Sequence, residues 1–448
     1  MEDKIDIKFI DLFAGLGGIR LGMQQAASEL GLTTKCVFTS EIKESAIKAL
    51  NINFPNENIT PKDITKVDAK EIPSFNILLG GFPCQAFSYA GKQRGFTDTR
   101  GTLFFEIERI LAFHFKNVDG FILENVEGLI VHDKEKRTDK IGRTLTVIFN
   151  ILENKLGFNV EYAMLDSSDF GVAQTRKRVF IVGCKKKYGK IDMNFIPKPK
   201  SVVKDHLIYN QSTLNNEFTQ KLLSHYKPKD LNGKFLKDKR GGKLNIHSWD
   251  FEYKGSVSSN QKELLDLLFK QRRRKAWAKE IGIDWMDGMP LTKEQIETFF
   301  PHTDLQSILD DLVAKKYLVL EHPKRKVITE VDGNSYSERI ADVTLPKGYN
   351  IVTGKLSFPI SHILDSDSKA PTMVAMDMNA IGVIDGEGLR HLSLQEGLGL
   401  FGYPESYTLE EFQNNNKSIR FGYDLLGNSV CVPVVKDVAL RLLTKIFK

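Results

Sequence analysis

Cysteine is scarce in this chain of 448 residues: Cys36, Cys84, Cys184 and Cys431 lie far apart, with no CxxC and no Cys/His cluster. That spacing excludes a secreted disulfide scaffold and a structural zinc, and no metal is expected. It fits a reducing compartment, where thiols serve packing or catalysis. No apolar run approaches the length needed to span a bilayer. The opening stretch MEDKIDIKFIDLF is charged and then strand-like, unlike a signal or transit peptide. A soluble, cytoplasmic protein is expected. Internal repeats and low-complexity tracts are absent. So is a dinucleotide fingerprint: GxGxxG would need glycine at position 20, where Arg20 stands, which argues against a nicotinamide oxidoreductase.

What is present begins with an apolar fraction of 41%, enough for a sizeable core and two or three domains. The N-terminal part alternates strand-like runs (IKFIDLFAG, KCVFTSEI, SFNILLGGF, DGFILEN) with helical ones (GIRLGMQQAASEL, ESAIKALNINF, FFEIERILAFHF). That rhythm predicts an α/β fold, a doubly wound Rossmann-like sheet with helices on both faces. Functional residues then belong at the carboxyl ends of strands. From about Lys185 the rhythm stops at a lysine run and two prolines. Between Lys185 and Ala370 there are 33 Lys+Arg against 24 Asp+Glu, so this middle segment carries the whole basic excess of a chain whose net charge is +6. A polyanion such as nucleic acid is a candidate partner, against a merely soluble lysine-rich surface. The expected division is a first part of the catalytic domain at 1–184, a mixed and irregular insert at 185–385, a connecting region at 386–425 and a C-terminal helix within 426–448 that returns to the first domain. Within the insert, QKELLDLLFKQRRRKAWAKE reads as one helix. Two shorter helical patterns follow, the first capped by Thr292 with Gln295 three residues on. With the basic HPKRK after them they suggest a helix-turn-helix-like unit with a wing.

Chemistry concentrates at the strand ends. Gly15, Gly17 and Gly18 form a tight turn that lets backbone approach a ligand. Glu41, after the second strand, could accept from ribose hydroxyls or be a surface glutamate. Asp63 is expected to end the next strand, where it could accept from an adenine amine or cap a helix. Cys84 follows Pro83 beyond FNILLGG, with Lys92 and Arg94 in a glycine-marked loop that could hold a phosphate backbone near the thiol. A buried hydrophobic role is the alternative for that cysteine. Glu124 ends another strand, with Asn125 placed to brace the loop, and Arg176 and Arg178 begin the strand after. A thiol, a carboxyl and a guanidinium facing one crevice form a catalytic trio; a structural ion pair is the bland alternative.

These motifs, in this order, resemble those of the DNA (cytosine-5) methyltransferases of bacterial restriction–modification systems: DLFAGLGG, GGFPCQAFS, ENV, QTRKRVFIVG, RHLSLQEGLGLFGYP and GNSVCVPVV. The resemblance covers nearly the whole chain outside the middle segment. It implies an S-adenosylmethionine-dependent enzyme with S-adenosylhomocysteine as product. Cys84, stiffened by Pro83, would attack C6 of a cytosine flipped out of duplex DNA. Glu124 would hold N3 and the exocyclic amine, Arg178 would contact O2, and Arg176 would order the site. The cofactor pocket would be Phe13, Ala14, Gly15, Gly17, Glu41, Ile42, Asp63, Ile64, Gly81, Leu103, Asn428 and Ser429. At position 42 an aromatic residue packs on the adenine in some members; Ile42 offers a smaller face. Gln85, Ser88, Lys92 and Arg94 would contact DNA, and the stretch QRGFTDTRGTLFF resembles the family's mobile catalytic loop, which would close over the base. The insert would be the target recognition domain, its base readers unassigned. A monomer is expected, with a cognate restriction endonuclease acting on the same site without a stable complex. The rivals are an RNA cytosine methyltransferase, which the size of the insert disfavours, and a non-catalytic DNA-binding protein, which the intact Cys84, Glu124 and Arg178 disfavour.

Overall fold

The structure, a computed structural model, describes residues 5–57, 59–83, 103–136, 138–239, 241–331, 334–352 and 358–448. They form two compact units: Met1–Ile208 with Asp365–Asn379 and Leu392–Lys448, and Tyr209–Leu364 with Ala380–His391.

The first unit opens with β1 (Ile7–Leu12), α1 (Gly18–Glu29), β2 (Thr34–Ser40), α2 (Glu44–Asn53), β3 (Ile77–Gly81), α3 (Leu103–Phe113) and β4 (Gly120–Val126). Short helices α4 (Gly128–Val131) and α5 (Arg143–Phe149) precede β5 (Phe158–Asp166) and β6 (Lys177–Lys185). One six-stranded sheet results, in the order β2-β1-β3-β4-β6-β5. β1 to β4 are mutually parallel, and β6 runs antiparallel to β4 and β5. This is the Rossmann-like sheet that the alternation predicts, and its central strands are mostly apolar because both faces are covered. Ile10, Leu12, Leu78, Phe104, Phe121 and Leu123 share one buried cluster. The register brings Leu12 beside Ser40 and Gly80, Gly81 beside Glu124, and Val126 beside Arg178. The carboxyl ends of four strands and the start of β6 therefore meet along one edge.

One expectation fails here. Among the described residues no strand ends at Asp63; none lies between α2 and the turn that begins at Ile64. Pro61 lacks the N–H that a ladder needs. The segment is instead tied to the end of β2, with Lys62 N donating to the Glu41 carbonyl at 2.8 Å and Ser40 Oγ to the Lys62 carbonyl at 3.0 Å.

The second unit holds α6 (Glu217–His225), β7 (Phe235–Leu236), β8 (Asn245–Ile246), α7 (Ser259–Gln271), α8 (Lys275–Glu280), α9 (Lys293–Glu297), α10 (Leu305–Ala314), β9 (Leu318–Glu321), β10 (Lys324–Val331), β11 (Asn334–Ala341), β12 (Gly348–Ile351), β13 (His362–Ile363), β14 (Ile381–Asp385) and β15 (Gly388–His391). A five-stranded sheet runs β15-β14-β13-β7-β8. Thr292 and Gln295 form the predicted capping box of α9, with bonds of 3.3 and 3.0 Å. The single helix expected across QKELLDLLFKQRRRKAWAKE is broken at Arg272, whose side chain turns inward to 2% exposure. Its Nη1 donates to Asn350 Oδ1 at 2.8 Å, and its carbonyl accepts from Met289 N at 2.8 Å. A helix continued through this point would forfeit both bonds.

The chain returns to the first unit as α11 (Leu394–Leu400), α12 (Asn416–Gly427) and α13 (Val432–Phe447). α13 lies so close to α1 that a Cβ on Gly22 would sit 2.6 Å from Val435 Cβ and 2.8 Å from Lys436 N. Gly22→Ala is expected to lower the thermal unfolding midpoint. Overpacking against backbone costs about 1–3 kcal/mol, more than the ~1 kcal/mol that alanine gains in helix propensity.

Candidate active site

The turn from β1 to α1 is built from left-handed backbone: φ is 57° at Phe13, 54° at Gly15 and 69° at Gly17. Gly17 is required, since a Cβ there would lie 2.9 Å from the Phe54 ring and 3.0 Å from Arg20. Gly15 differs: its missing Cβ would meet nothing within 4 Å, so its backbone lies open to a ligand. Its N–H donates to Glu41 Oε2 at 2.8 Å, while Glu41 Oε1 accepts from Ile42 N and Lys43 N at 2.8 and 2.9 Å. Glu41 is thus a fixed carboxylate at the end of β2, no longer a free surface glutamate, and acceptor capacity remains on Oε2. Ile42 beside it is 68% exposed. Ala14 packs with Ile47, Leu50 and Ile59, and Phe13 and Leu103 lean on the sheet core. The ion pair of Lys43 with Asp424 ties this loop to α12. Asn428 caps that helix, its Nδ2 donating to the Asp424 carbonyl at 2.9 Å. For Asp63 the capping alternative is realised: Oδ1 accepts from Thr65 N at 3.1 Å and Thr65 Oγ1 at 2.7 Å. The Thr65 bonds hold that carboxyl below its usual range, and Ile64 beside it is buried.

At the next two strand ends, Glu124 and Arg178 form an ion pair, Nε to Oε1 at 3.0 Å, with side chains 12% and 16% exposed. Burial pushes the Glu124 carboxyl above its usual value, against the pull of Arg178 and Arg176. Gly81 borders this carboxyl: a Cβ there would lie in ordinary contact with it, 3.6 Å from Glu124 Oε2. Asn125, 2% exposed, donates from Nδ2 to the Phe82 carbonyl at 2.8 Å. It fixes the backbone immediately before Pro83. Cys84, Gln85, Ser88, Lys92 and Arg94 lie outside the described residues.

Arg176 plays a different part from Arg178. Buried to 2% exposure, it donates from Nη1 to the Met373 carbonyl at 2.9 Å and from Nη2 to the carbonyls of Gly427 and Ser429 at 3.0 and 2.7 Å. Burial, helped by Arg178, pulls its pKa down to about 10, still charged at neutral pH. Arg176 positions the Asn428–Ser429 turn and does not reach into the crevice. Arg176→Ala strips three buried carbonyls of their partner at about 1–3 kcal/mol each. The expected outcome is a fall in unfolding free energy of about 3 kcal/mol or more, read by denaturant titration, with Arg176→Lys recovering only part of it.

Four supporting residues escaped the sequence reading. Asp11, 1% exposed on β1, has its carboxyl raised to about 7 by burial, opposed by Arg20. Arg20 itself is fully buried, paired with Glu57 and lying 3.9 Å from the Phe54 ring centroid. A lone arginine in the apolar pattern GIRLGM was the available signal. Tyr407 donates to the Leu16 carbonyl at 2.6 Å, and the Tyr403 hydroxyl meets Ser429 Oγ at 2.5 Å. These two tyrosines of GYPESY clamp the glycine turn and the Ser429 turn.

A Rossmann-like sheet with an open glycine turn after β1, a fixed carboxylate just after β2 and a buried Glu–Arg pair at the ends of β4 and β6 is the frame of the first unit. The chain belongs to the C-5 cytosine-specific DNA methylase family, whose profile matches residues 7–444; it is a DNA (cytosine-5) methyltransferase. It is 54% identical to the Type II methyltransferase M.NlaIV of Neisseria lactamica, over 98% of this chain and 99% of that one. To M.NgoBV of Neisseria gonorrhoeae it is 52% identical, over the same shares of both chains. A solved structure described as a DNA modification methyltransferase encoded within an E. coli prophage shares the fold at 21% identity and a TM-score of 0.52, covering 98% of this chain and 99% of that one. No described helix is long and apolar enough to cross a membrane.

Proposed function

We infer that this enzyme transfers a methyl group from S-adenosylmethionine to C5 of a cytosine flipped out of duplex DNA, as the protective methylase of a Type II restriction–modification pair. The names of its relatives support the Type II setting. The observation that carries the chemistry is the buried Glu124–Arg178 pair, one strand over from the backbone that leads into Pro83 and Cys84.

The cofactor fits the residues present. The open Gly15 face, the acceptor capacity of Glu41 and the exposed Ile42 suit a nucleoside without pyrophosphate. Phe13, Ala14, Gly17, Ile64, Gly81, Leu103, Asn428 and Ser429 would complete that pocket, and Asp63 would offer its Oδ2 to the adenine amine. When bound, the cofactor supplies an electrophilic methyl on a sulfonium.

The protein's part is to make C5 a nucleophile. The Cys84 thiolate adds to C6, breaking the C5–C6 π bond and placing its electron pair on the ring as an enamine. Glu124, whose carboxyl burial raises above its usual value, donates a proton to N3 as charge develops there. Arg178 holds Glu124 and neutralises O2. C5 takes the methyl and the broken S–C bond leaves its electron pair on the donor's sulfur; a base, water in this reading, then removes the C5 proton, the C5–C6 double bond reforms as Cys84 leaves as thiolate, and N3 returns its proton to Glu124. Gln85, Ser88, Lys92 and Arg94 contact DNA around the extruded base, and the second unit supplies target recognition. Incubation with a duplex carrying 5-fluorocytosine, whose fluorine cannot leave as a proton does, should yield a covalent complex mapping to residue 84 by mass spectrometry. A folded enzyme that makes 5-methylcytosine and yet traps no such complex refutes the mechanism. Bisulfite sequencing of DNA from expressing cells gives the methylated word.

A further inference from the structure

The second unit contains a module that methyl transfer alone does not require. From Ser258 to Val352 the order is helix (α7 with α8), one strand position at Leu291, helices α9 and α10, strand β9, the β10–β11 hairpin and strand β12. β12 is the middle strand: Tyr349 exchanges both backbone bonds with Leu291, at 2.7 and 3.0 Å, and β12 runs antiparallel to β9. That order and pairing are those of a winged helix. The module has a core of its own, including Leu264, Leu268, Ile296, Leu309, Leu312 and Ile351.

A winged helix meets DNA through its second short helix or through its wing, and here charge decides. The segment carries 15 Lys+Arg and 15 Asp+Glu, so placement matters and the total does not. α10 has no Lys or Arg. On its exposed face Gln306 Nε2 is occupied by Asp310 Oδ1 at 2.9 Å and the Tyr349 hydroxyl at 3.0 Å. An acidic face with its amide already bonded repels phosphates. Three basic residues, Arg273, Lys275 and Arg339, meet instead at Trp285, which is 38% exposed. Trp285 Nε1 donates to the Arg273 carbonyl at 3.0 Å, and Arg273 Nη2 donates to the Lys239 carbonyl at 2.5 Å. Lys275 Nζ lies 5.9 Å from the Trp285 ring. Arg339 Nη2 donates to the Trp285 carbonyl at 2.9 Å and faces Lys326 across the hairpin. Among the described residues the acid paired into this group is Asp287, 3.1 Å from Arg273.

We propose that the module grips the DNA backbone through this basic surface, the α7–α8 corner and the foot of the hairpin around Trp285, and not through α10. The inference rests on the reading of the second unit as the target-recognition part. The test uses the full chain and a fluorescein-labelled duplex containing the methylated word, with binding measured across a salt series. The Lys275→Glu, Lys326→Glu double variant is expected to flatten the slope of log K against log salt by about 1 for each lysine. Asp310→Asn on α10 should leave that slope as it is. Cooperative unfolding checks the fold, and the milder Lys275→Ala, Lys326→Ala pair gives the same direction if charge reversal unfolds the chain. Unchanged slopes in both folded double variants overturn the proposal, as does an Asp310→Asn effect as large as theirs. Absence of 5-methylcytosine from the unaltered enzyme would instead defeat the activity reading, so the two failures are separable.

Discussion

Cys84→Ser is expected to reduce methyl transfer by about three orders of magnitude or more, because an alcohol at neutral pH is almost never the anion that must add to C6. The measurement is single-turnover transfer of labelled methyl to a duplex at saturating enzyme. DNA affinity is measured in parallel to show that the site still forms. What makes residue 84 special is the frame around it more than the thiol alone. Phe82 is buried in the sheet core, its carbonyl is held by Asn125, and Pro83 limits the backbone just before the cysteine. The other thiols have no such setting: burial pushes Cys36, Cys184 and Cys431 up to about 11, away from reactivity. Turnover retained by the serine variant at a tenth of the parent rate would remove the covalent step from the mechanism.

Glu124→Gln is expected to cost about 10²–10⁴-fold in the chemical step, the usual worth of a positioned proton donor. The amide keeps the shape and can still accept from Arg178, so the fold should survive. The pH dependence separates a proton-donating role from a merely structural one. Burial raises the carboxyl above its usual value, so the active protonated form persists above the ordinary glutamate range and disappears as pH climbs through the raised pKa. The parent enzyme should lose activity along that limb; the residual activity of the glutamine variant should lack it. Stability follows the same sign. A carboxyl whose folded pKa is raised favours the folded state most below its unfolded value, and that contribution is lost as pH rises toward the folded one. Glu124→Gln should therefore be least harmful to stability, or even stabilising, at the alkaline end. A variant with the parent's pH–rate profile would assign the proton donation to another group.

Much of this site was legible in the chain because its signals are local. A glycine turn after an apolar strand, a carboxylate one strand on, Pro-Cys beyond GG and ENV at the next strand end each need only a few neighbouring residues to specify their geometry. Alternation of strand and helix then puts those ends on one edge of a parallel sheet. The errors came where a local signal was weak or was overruled. Pro61 denied a ladder to the segment before Asp63, leaving the capping role. In QRRRKAW the pattern reads as one exposed helical face, yet Arg272 is drawn inside by Asn350, which lies 78 positions away.

The sequence by itself determined the alternation of strands and helices in the first unit and the candidate residues at the strand ends, because both are written in short-range spacing and in backbone preferences that act within a turn. Tertiary structure alone decided which backbone carbonyls Arg176 holds. The carbonyls that hold Arg176 are 197 to 253 positions distant. It also decided that Arg20 and Asp11 are buried beneath the glycine turn, and that three basic residues of the second unit converge on one tryptophan. Burial and convergence are properties of packing between remote segments, and no local pattern encodes what a side chain will find on the far side of a sheet.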